Sequence, residues 1–562
     1  MRKWICLIQI VLAAFLVSRY PAMSVLLLLL IANAAATLLL GVTRKGIAGM
    51  AVILLFMVCM LLLPKEAVIA ANIFVCISTL ILLIEWLQQW NAAIFCRRNL
   101  LTAGGIFLVV FLLAAILPYV KQPEVQKDTM ENFDLADYTG TRQEGERAKI
   151  ISDNGEALEE RIRLISQAKE EIILSTFEFD ADTSGKQVLA ALMDAADRGV
   201  KVKILVDGFP YLKTMWGNPY FLAAAQQEHM EIRVYNPVRL WKPWTLMGRL
   251  HDKYLLVDDT AYLLGGRNTF DFFLGDQKGY KNYDWDVFVS CKESENPSIV
   301  QVQNYFQSVW KQPDSRPYGS GLWKWNPSVK KAGKELKQLK QQIEKTHADW
   351  FVEEDIYEKT VPIQNVQLIA NPVHANVKEP TAFYEMAEIM KSAESEVTFH
   401  TPYLICDDWM LQKLKEVCSD GRQVQMMTNS VVNNGNPFGA MDYHRYKGKI
   451  LETGVSILEY DKGVSYHGKC FTVDDHISGI GSFNWDMRSA YLDTELMLVI
   501  DSQELTMQLR KEMSSYEADA LRVTGKDSYD LPEGVTPRPM SKKKEFRIKA
   551  LDLLGGWARF LM

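Results

Sequence analysis

The sequence predicts an α/β protein of two pseudo-symmetric α-β-α lobes that share one active site, preceded by a helical multi-span transmembrane region. Three observations point there. The first 120 residues are almost wholly apolar, a strand–helix–strand pattern occurs twice after them, and one polar motif recurs at matched spacing.

The chain has 562 residues, 48% of them hydrophobic, and a net charge of -6. Apolar runs occupy about 4–18, 22–43, 46–63, 66–87 and 100–120. A spanning helix takes about 20 apolar residues. Residues 1–120 therefore read as four or five membrane helices, which implies a multi-pass cell-membrane protein. The first run is short and ends at Arg19-Tyr20-Pro21, with Arg2 and Lys3 ahead of it. Ser18-Arg19-Tyr20-Pro21 is a poor cleavage site, so a membrane segment is favoured over a cleaved signal. With five spans, Arg2, Lys3, Arg44, Lys45, Arg97 and Arg98 share the cytoplasmic side and the polar part lies outside. With four spans the polar part lies inside. Both topologies stay open.

The polar part has ordinary globular composition. Its acidic balance argues against a nucleic-acid partner. No C-x-x-C spacing occurs among the eight cysteines, so neither a zinc site nor a redox pair is expected. Residues 121–148 read as a juxtamembrane linker, 149–311 as a first lobe and 312–365 as a connector. A second lobe follows over 366–525, then a tail over 526–562.

In the first lobe, Glu171 to Phe177 reads as a buried strand, Lys186 to Arg198 as a helix ended by Gly199, and Val200 to Val206 as a strand. In the second, Glu396 to Thr401, Trp409 to Cys418 and Gln423 to Met427 repeat that order. Such units imply parallel strands. In the connector, Leu336, Leu339 and Ile343 form one apolar stripe, read as a solvated linking helix. The tail alternates Lys542, Lys543, Lys544, Arg547 and Lys549 with Phe546, Ile548, Leu551 and Leu554. It suits either a basic amphipathic helix on an anionic membrane or a terminal helix packed on its domain.

The repeated motif carries the chemistry. The first copy is His251-Asp-Lys253, then Asp258, then Gly265-Gly-Arg-Asn268. The second is His467-Gly-Lys469, then Asp474, then Gly481-Ser482-Phe-Asn484. Residues i and i+2 of a strand share a face, so each His projects with its Lys. A turn at each Asp sends a second strand back, delivering Gly and Asn beside the His. Glycine there permits close approach, as a phosphate oxygen would need. Two Lys, two Asn and two His at one point make a phosphate site without metal. Lys supplies charge, Asn neutral donors, and the histidines a nucleophile and an acid. His229, His347, His374, His400, His444 and His476 lack a paired motif and are read as surface or core histidines. Trp241, Trp244 and Tyr254 suit either lipid contact or core.

On these motifs the chain resembles the phospholipase D superfamily over about 150–520. Within it, Gly265-Gly-Arg-Asn268, Gly481 to Ser489, Asp493-Thr-Glu495 and Thr401-Pro-Tyr403 are similar to segments of bacterial cardiolipin synthases. Asp493 stands where Asn is commoner. The resemblance implies phosphatidyl transfer from one phosphatidylglycerol to another through a phosphatidyl-histidine, without a cofactor. A hydrolase, or a transphosphatidylase on another phospholipid, is the alternative. It implies His251 as nucleophile and His467 as general acid. Lys253, Lys469, Asn268 and Asn484 would hold phosphate, with Gly265 and Ser482 beside them. Asp286 and Glu495 would orient the histidines, and Asp258 and Asp474 would support the motif from the strand turn. The oligomeric state is left open.

Overall fold

The computed structural model describes residues 97–142, 145–292, 294–295, 297–319, 326–353, 355–531 and 533–562. The first four apolar runs lie outside these residues. Helix Arg97–Ile116 covers most of the fifth run and exposes Phe107, Leu108, Val109, Leu112 and Leu113. Among the described residues, no helix is long and apolar enough to cross a membrane. This helix and residues 239–244 belong to one compact unit, and everything from Tyr119 onward, 239–244 excepted, forms a second.

The second unit is built on two nine-stranded sheets. In chain order the strands are β1 (Arg147–Ile151), β2 (Glu171–Thr176), β3 (Lys201–Asp207), β4 (Met230–Tyr235), β5 (Tyr254–Val257), β6 (Ala261–Gly265), β7 (Asn282–Tyr283), β8 (Asp286–Ser290), β9 (Ser315–Pro317) and β10 (Val361–Pro362). They continue as β11 (Asn365–Ala370), β12 (Glu396–His400), β13 (Leu404–Ile405), β14 (Gln423–Asn429), β15 (Ser456–Tyr460), β16 (Ser465–Tyr466), β17 (Cys470–Val473) and β18 (Ile477–Gly481). The last are β19 (Trp485–Asp486), β20 (Leu496–Asp501), β21 (Leu521–Gly525) and β22 (Ser528–Asp530).

The order β8–β6–β5–β2–β3–β4 in the first sheet recurs as β20–β18–β17–β12–β14–β15 in the second. Strands β2, β3 and β4 are parallel, as are β12, β14 and β15. Parallel neighbours need a crossover, and helices Thr183–Asp197 and Asp408–Val417 supply the first in each lobe. Apolar runs such as Ile172-Ile-Leu174 are buried because both faces of the sheet are covered. A central apolar layer draws on both lobes. Tyr235, Trp285 and Phe306 of the first pack in one cluster with Tyr460, Tyr466 and Leu509 of the second. Tyr254 belongs to this core.

The motif hairpins are β5–β6 and β17–β18, both antiparallel. Asp258 and Asp474 sit at their tips with left-handed φ of 54° and 49°. The Asp258 carboxylate accepts from the backbone N–H of Lys169, Glu170 and Glu171 at 3.1, 2.8 and 3.0 Å. Asp474 accepts from Glu394, Ser395 and Glu396 at 2.8, 2.9 and 3.0 Å. A whole strand separates each from its histidine. They touch none of the reacting groups and act from the strand turn, tying each hairpin to the start of the neighbouring strand.

Two boundary segments differ from expectation, and the tail takes one of its two readings. Residues 121–142 lie on the second lobe, where Gln126 N donates to Glu379 at 2.8 Å and Gly140 N to Asp501 at 2.7 Å. Connector helix Pro327–Thr346 is not solvated all round. Its stripe of Val329, Ala332, Leu336 and Ile343 is buried in the first-lobe core. Tail helix Lys542–Gly555 packs on helix Pro437–Leu451, with Ile548 buried and Phe546 exposed. There Lys544 donates to the carbonyls of Val432 and Asn434 at 2.7 and 2.8 Å. The packed-helix alternative describes this tail.

Replacing Asp474 with Ala leaves three backbone donors without their acceptor and puts a Cβ-bearing residue without a polar side chain at positive φ. The cost should be about 1–3 kcal/mol in denaturant unfolding. The hydrogen bonds to Glu396, Glu394 and Ser395 outweigh burial and hold the Asp474 carboxyl below its ordinary value. Its contribution is therefore present above the ordinary carboxylate range and lost as pH falls, so wild type and Asp474→Ala should converge in acid.

Candidate active site

Each histidine is delivered by an extended segment that leaves its own lobe and pairs with the other. His251 N donates to Thr494 O at 3.1 Å, beside a parallel bridge between Leu250 and Thr494. His467 N donates to Tyr283 O at 2.6 Å, after β16 has paired in parallel with β7. The result is an exchange of carboxylates. His251 Nδ1 lies 2.8 Å from Glu495 Oε1 of the second lobe. His467 Nδ1 lies 2.6 Å from Asp284 Oδ2 of the first.

The sheet register shows that these two carboxylates are equivalent. Gly265 stands opposite Asp286 in β6–β8, and Gly481 opposite Met497 in β18–β20. Two residues before these partners, just ahead of each strand, are Asp284 and Glu495. The orienting role expected of Asp286 thus falls to Asp284. Asp286 instead faces two buried guanidiniums, 2.8 Å from Arg161 and 3.3 Å from Arg267. Residues i and i+2 share a face, so both acids were candidates; the Asp286 carboxylate is engaged by arginines and the Asp284 carboxylate is not.

The glycines also act differently from expectation. A Cβ on Gly265 would come within 2.2 Å of Trp285 O, and one on Gly266 within 2.2 Å of Asp284 Oδ1. Their bareness admits the carboxylate strand; it is protein that approaches there. Gly481 does the same for Leu496 O at 2.1 Å. Ser482, expected beside phosphate, is fully buried and donates to Glu495 Oε2. Ser489 donates to Oε1 at 2.6 Å.

Both ammonium groups fold back on the motif. Lys253 Nζ donates to His251 O, and Lys469 Nζ to His467 O. Lys469 Nζ also lies 2.6 Å from His467 Nδ1, so it and Asp284 compete for that nitrogen. The ionised carboxylate accepts the Nδ1 proton, which leaves Nε2 the unprotonated ring nitrogen, 3.5 Å from Lys469 Nζ. Asn268 and Asn484 are buried nearby. Asn268 Oδ1 accepts from Glu178 N at 3.3 Å, and Asn484 Oδ1 has no partner. An orphaned buried amide atom suits a site completed by ligand. Phe177 meets the His251 ring edge-on at 5.4 Å, and Phe273 meets His467 at 5.1 Å.

Electrostatics joins the two motifs into one site. Burial, with Lys469 adding to it, pulls Lys253 down to about 8. Lys469 is lowered chiefly by burial. Burial and then Lys253 push His251 well below its ordinary value. Burial and Lys469 bring His467 to about 4, with Lys253 also felt. Burial alone would raise Asp284, but Lys469 and His467 outweigh it and hold it at about 2. Glu495 is instead pushed up by burial to about 7, against Lys253. Two buried ammoniums thus face one permanently ionised carboxylate and one poised near neutrality. That surplus of positive charge suits an anionic group such as a phosphodiester. No group of three or more acidic, Cys or His side chains among the described residues is arranged to hold a metal ion.

A family model described as "Cardiolipin synthase, PLD-like domain" matches residues 162–310 and 386–516. The chain is 25% identical to cardiolipin synthase C of Escherichia coli over 405 residues, covering 65% of this chain and 83% of that one. It is 24% identical to cardiolipin synthase 1 of Bacillus anthracis over 372 residues, covering 65% of each. Among solved structures, phosphatidylserine synthase of Haemophilus influenzae shares the fold with a TM-score of 0.56 at 16% identity. That match covers 78% of this chain and 99% of the other.

The two neighbouring acids should separate cleanly on mutation. Asp284→Asn should cut turnover roughly 10³-fold or more, as when a histidine loses the carboxylate that sets its tautomer. Asp286→Asn strips two buried arginines of their carboxylate and should cost about 3–5 kcal/mol of unfolding free energy. Turnover lost in both with unchanged stability in both would contradict the assignment.

Proposed function

We propose that this chain, which belongs to the phospholipase D superfamily and is cardiolipin synthase-like, transfers a phosphatidyl group from one phosphatidylglycerol to another. The observation that carries the reading is geometric: two buried His-x-Lys motifs meet in one site, each histidine oriented by a carboxylate of the other lobe. The unlike states of those carboxylates support unlike roles. Asp284, held at about 2, stays ionised beside His467 and favours its imidazolium. Glu495, near 7, gives His251 weaker support for the charged form. His251 thus suits the nucleophile and His467 the acid.

His251 Nε2 attacks phosphorus. The bond from phosphorus to the glycerol oxygen breaks, and that oxygen takes the His467 proton. The glycerol hydroxyl of a second phosphatidylglycerol then gives its proton to His467 and attacks phosphorus, releasing His251 and forming cardiolipin. A bound phosphodiester anion raises both imidazoles towards neutrality by its own charge. Lys253, Lys469, Asn268 and Asn484 are the groups proposed to hold it, the lysines acting on charge that develops at the phosphoryl oxygens. Water in place of the second lipid gives phosphatidic acid, the hydrolase alternative. The apolar runs within 1–120 support a membrane location and a multi-pass anchor as part of this proposal.

The full chain with phosphatidylglycerol as the only lipid should yield cardiolipin and glycerol, with or without a chelator. His251→Ala and His467→Ala should each abolish turnover. The rate should fall as pH rises through about 8, where Lys253 loses its charge. Phosphatidic acid as the product would favour the hydrolase. Cleavage of single-stranded DNA with lipid untouched would overturn both lipid readings.

A further inference from the structure

His400, one of the histidines without a motif, has two side-chain partners in the core between the lobes. Its Nδ1 lies 2.6 Å from Tyr466 Oη, and its Nε2 lies 2.8 Å from Glu517 Oε1. Trp285 Nε1 lies 2.6 Å from the same Tyr466 Oη. His400, Tyr466 and Trp285 are all almost fully buried.

The direction of this chain follows from chemistry. An indole N–H only donates, so Tyr466 Oη accepts from Trp285. With the Tyr466 proton on His400 Nδ1 and the His400 Nε2–H on Glu517, every group in the chain has a partner. Glu517 is held in turn by Arg510 Nη1 at 3.0 Å and Gln425 Nε2 at 3.0 Å.

Both inner ends of the chain abut the active site. Tyr466 precedes His467, and Trp285 follows Asp284. Trp285 is on the first lobe and Tyr466 on the second, so their hydrogen bond ties the two backbones that carry the His467–Asp284 pair. A Cβ on Gly468 would lie 2.2 Å from Trp285 Nε1 and 2.6 Å from Tyr466 Oη. The x of this His-x-Lys must be glycine for the indole to seat.

The first motif has no such arrangement. His400 stands opposite Cys470 in β12–β17, as Ser175 stands opposite Tyr254 in β2–β5. Ser175 donates to Asp252, the x of the first motif, at 2.6 Å. Tyr305 and Thr494 also donate to Asp252, at 2.8 and 2.9 Å. One motif is thus braced by a buried carboxylate, the other by an aromatic chain that ends on a histidine.

We infer that His400 is a positioning residue, which through Tyr466 and Trp285 holds Asp284 on His467 and so sets the basicity of that histidine alone. The charged and titratable groups facing His467 are Asp284, Lys469, Lys253 and Tyr403, whose ring meets it edge-on at 6.2 Å. Those facing His400 are Glu517, Arg510, Tyr466 and, across β12–β17, Cys470. Loosening the chain lets Asp284 drift while both lysines remain, so His467 becomes harder to protonate. The catalytic consequence rests on the proposed role of His467 as acid; the positioning itself does not.

The test is the pH dependence of His467 modification by diethyl pyrocarbonate, which acylates only neutral imidazole. It is read by peptide mass spectrometry on the folded full chain in detergent. A changed accessibility scales the rate, whereas a changed basicity moves its midpoint. His400→Leu and Tyr466→Phe should each move the His467 midpoint down by about half a pH unit or more. His251 should keep its midpoint. His400→Gln, whose amide offers one acceptor and one donor, should stay near wild type. If one variant fails to fold, Glu517→Gln, which weakens the same chain from its outer end, replaces it. Unmoved midpoints in folded variants, or equal shifts at His251, would overturn the inference. With phosphatidylglycerol, His400→Leu should lower kcat and leave KM unchanged. A wild type inactive on that lipid would sink the proposed reaction and leave the labelling result standing.

Discussion

Each lobe holds the carboxylate that the other lobe's histidine needs, and the rest of the site depends on that exchange. Glu495 reaches His251 and Asp284 reaches His467 because short parallel pairings carry each histidine across the lobe boundary. Neither lobe alone contains an oriented histidine. The twin sequence motif therefore encodes one composite site.

Burying two lysines, two histidines and their acids is costly unless each charge is answered. The surrounding structure shows how that is met. Bare glycines let the carboxylate strands press against the motif hairpins. Ser482 and Ser489 supply Glu495 with neutral donors, which fix its direction without adding charge. Asp286 draws Arg161 and Arg267 to itself, leaving Asp284 for His467. The hairpin tips at Asp258 and Asp474 are fastened to the sheet by backbone hydrogen bonds, which places the motifs at the other end. The two halves share topology yet differ in what surrounds each histidine. That difference gives two similar rings unlike tasks.

Much of this was legible in the sequence. The matched spacings point to the lobes and to His, Lys and Asn meeting in each motif, whereas the partner Glu495 came only with the family resemblance. Asp284 was not legible as its equivalent, because the segments between Asn and acid differ in length: 269–283 in one lobe and 485–494 in the other. Only the sheet register aligns them. The glycines were legible as sites of close approach, but not what approaches. The connector helix was misjudged because three apolar residues on a lysine-rich helix do not show whether a core lies beneath them. His400 carried no signal, since its meaning lies in Tyr466, Trp285 and Glu517, which are distant in the chain.

The central claim is that opposite lobes orient the two histidines of one site. Trapping the phosphatidyl-enzyme by rapid quench with radiolabelled phosphatidylglycerol, and mapping the labelled peptide, tests it most directly. The account predicts one adduct per chain, on His251, and its loss in Glu495→Gln although that residue lies in the other lobe. An adduct on His467, two adducts per chain, or normal labelling of Glu495→Gln would contradict it.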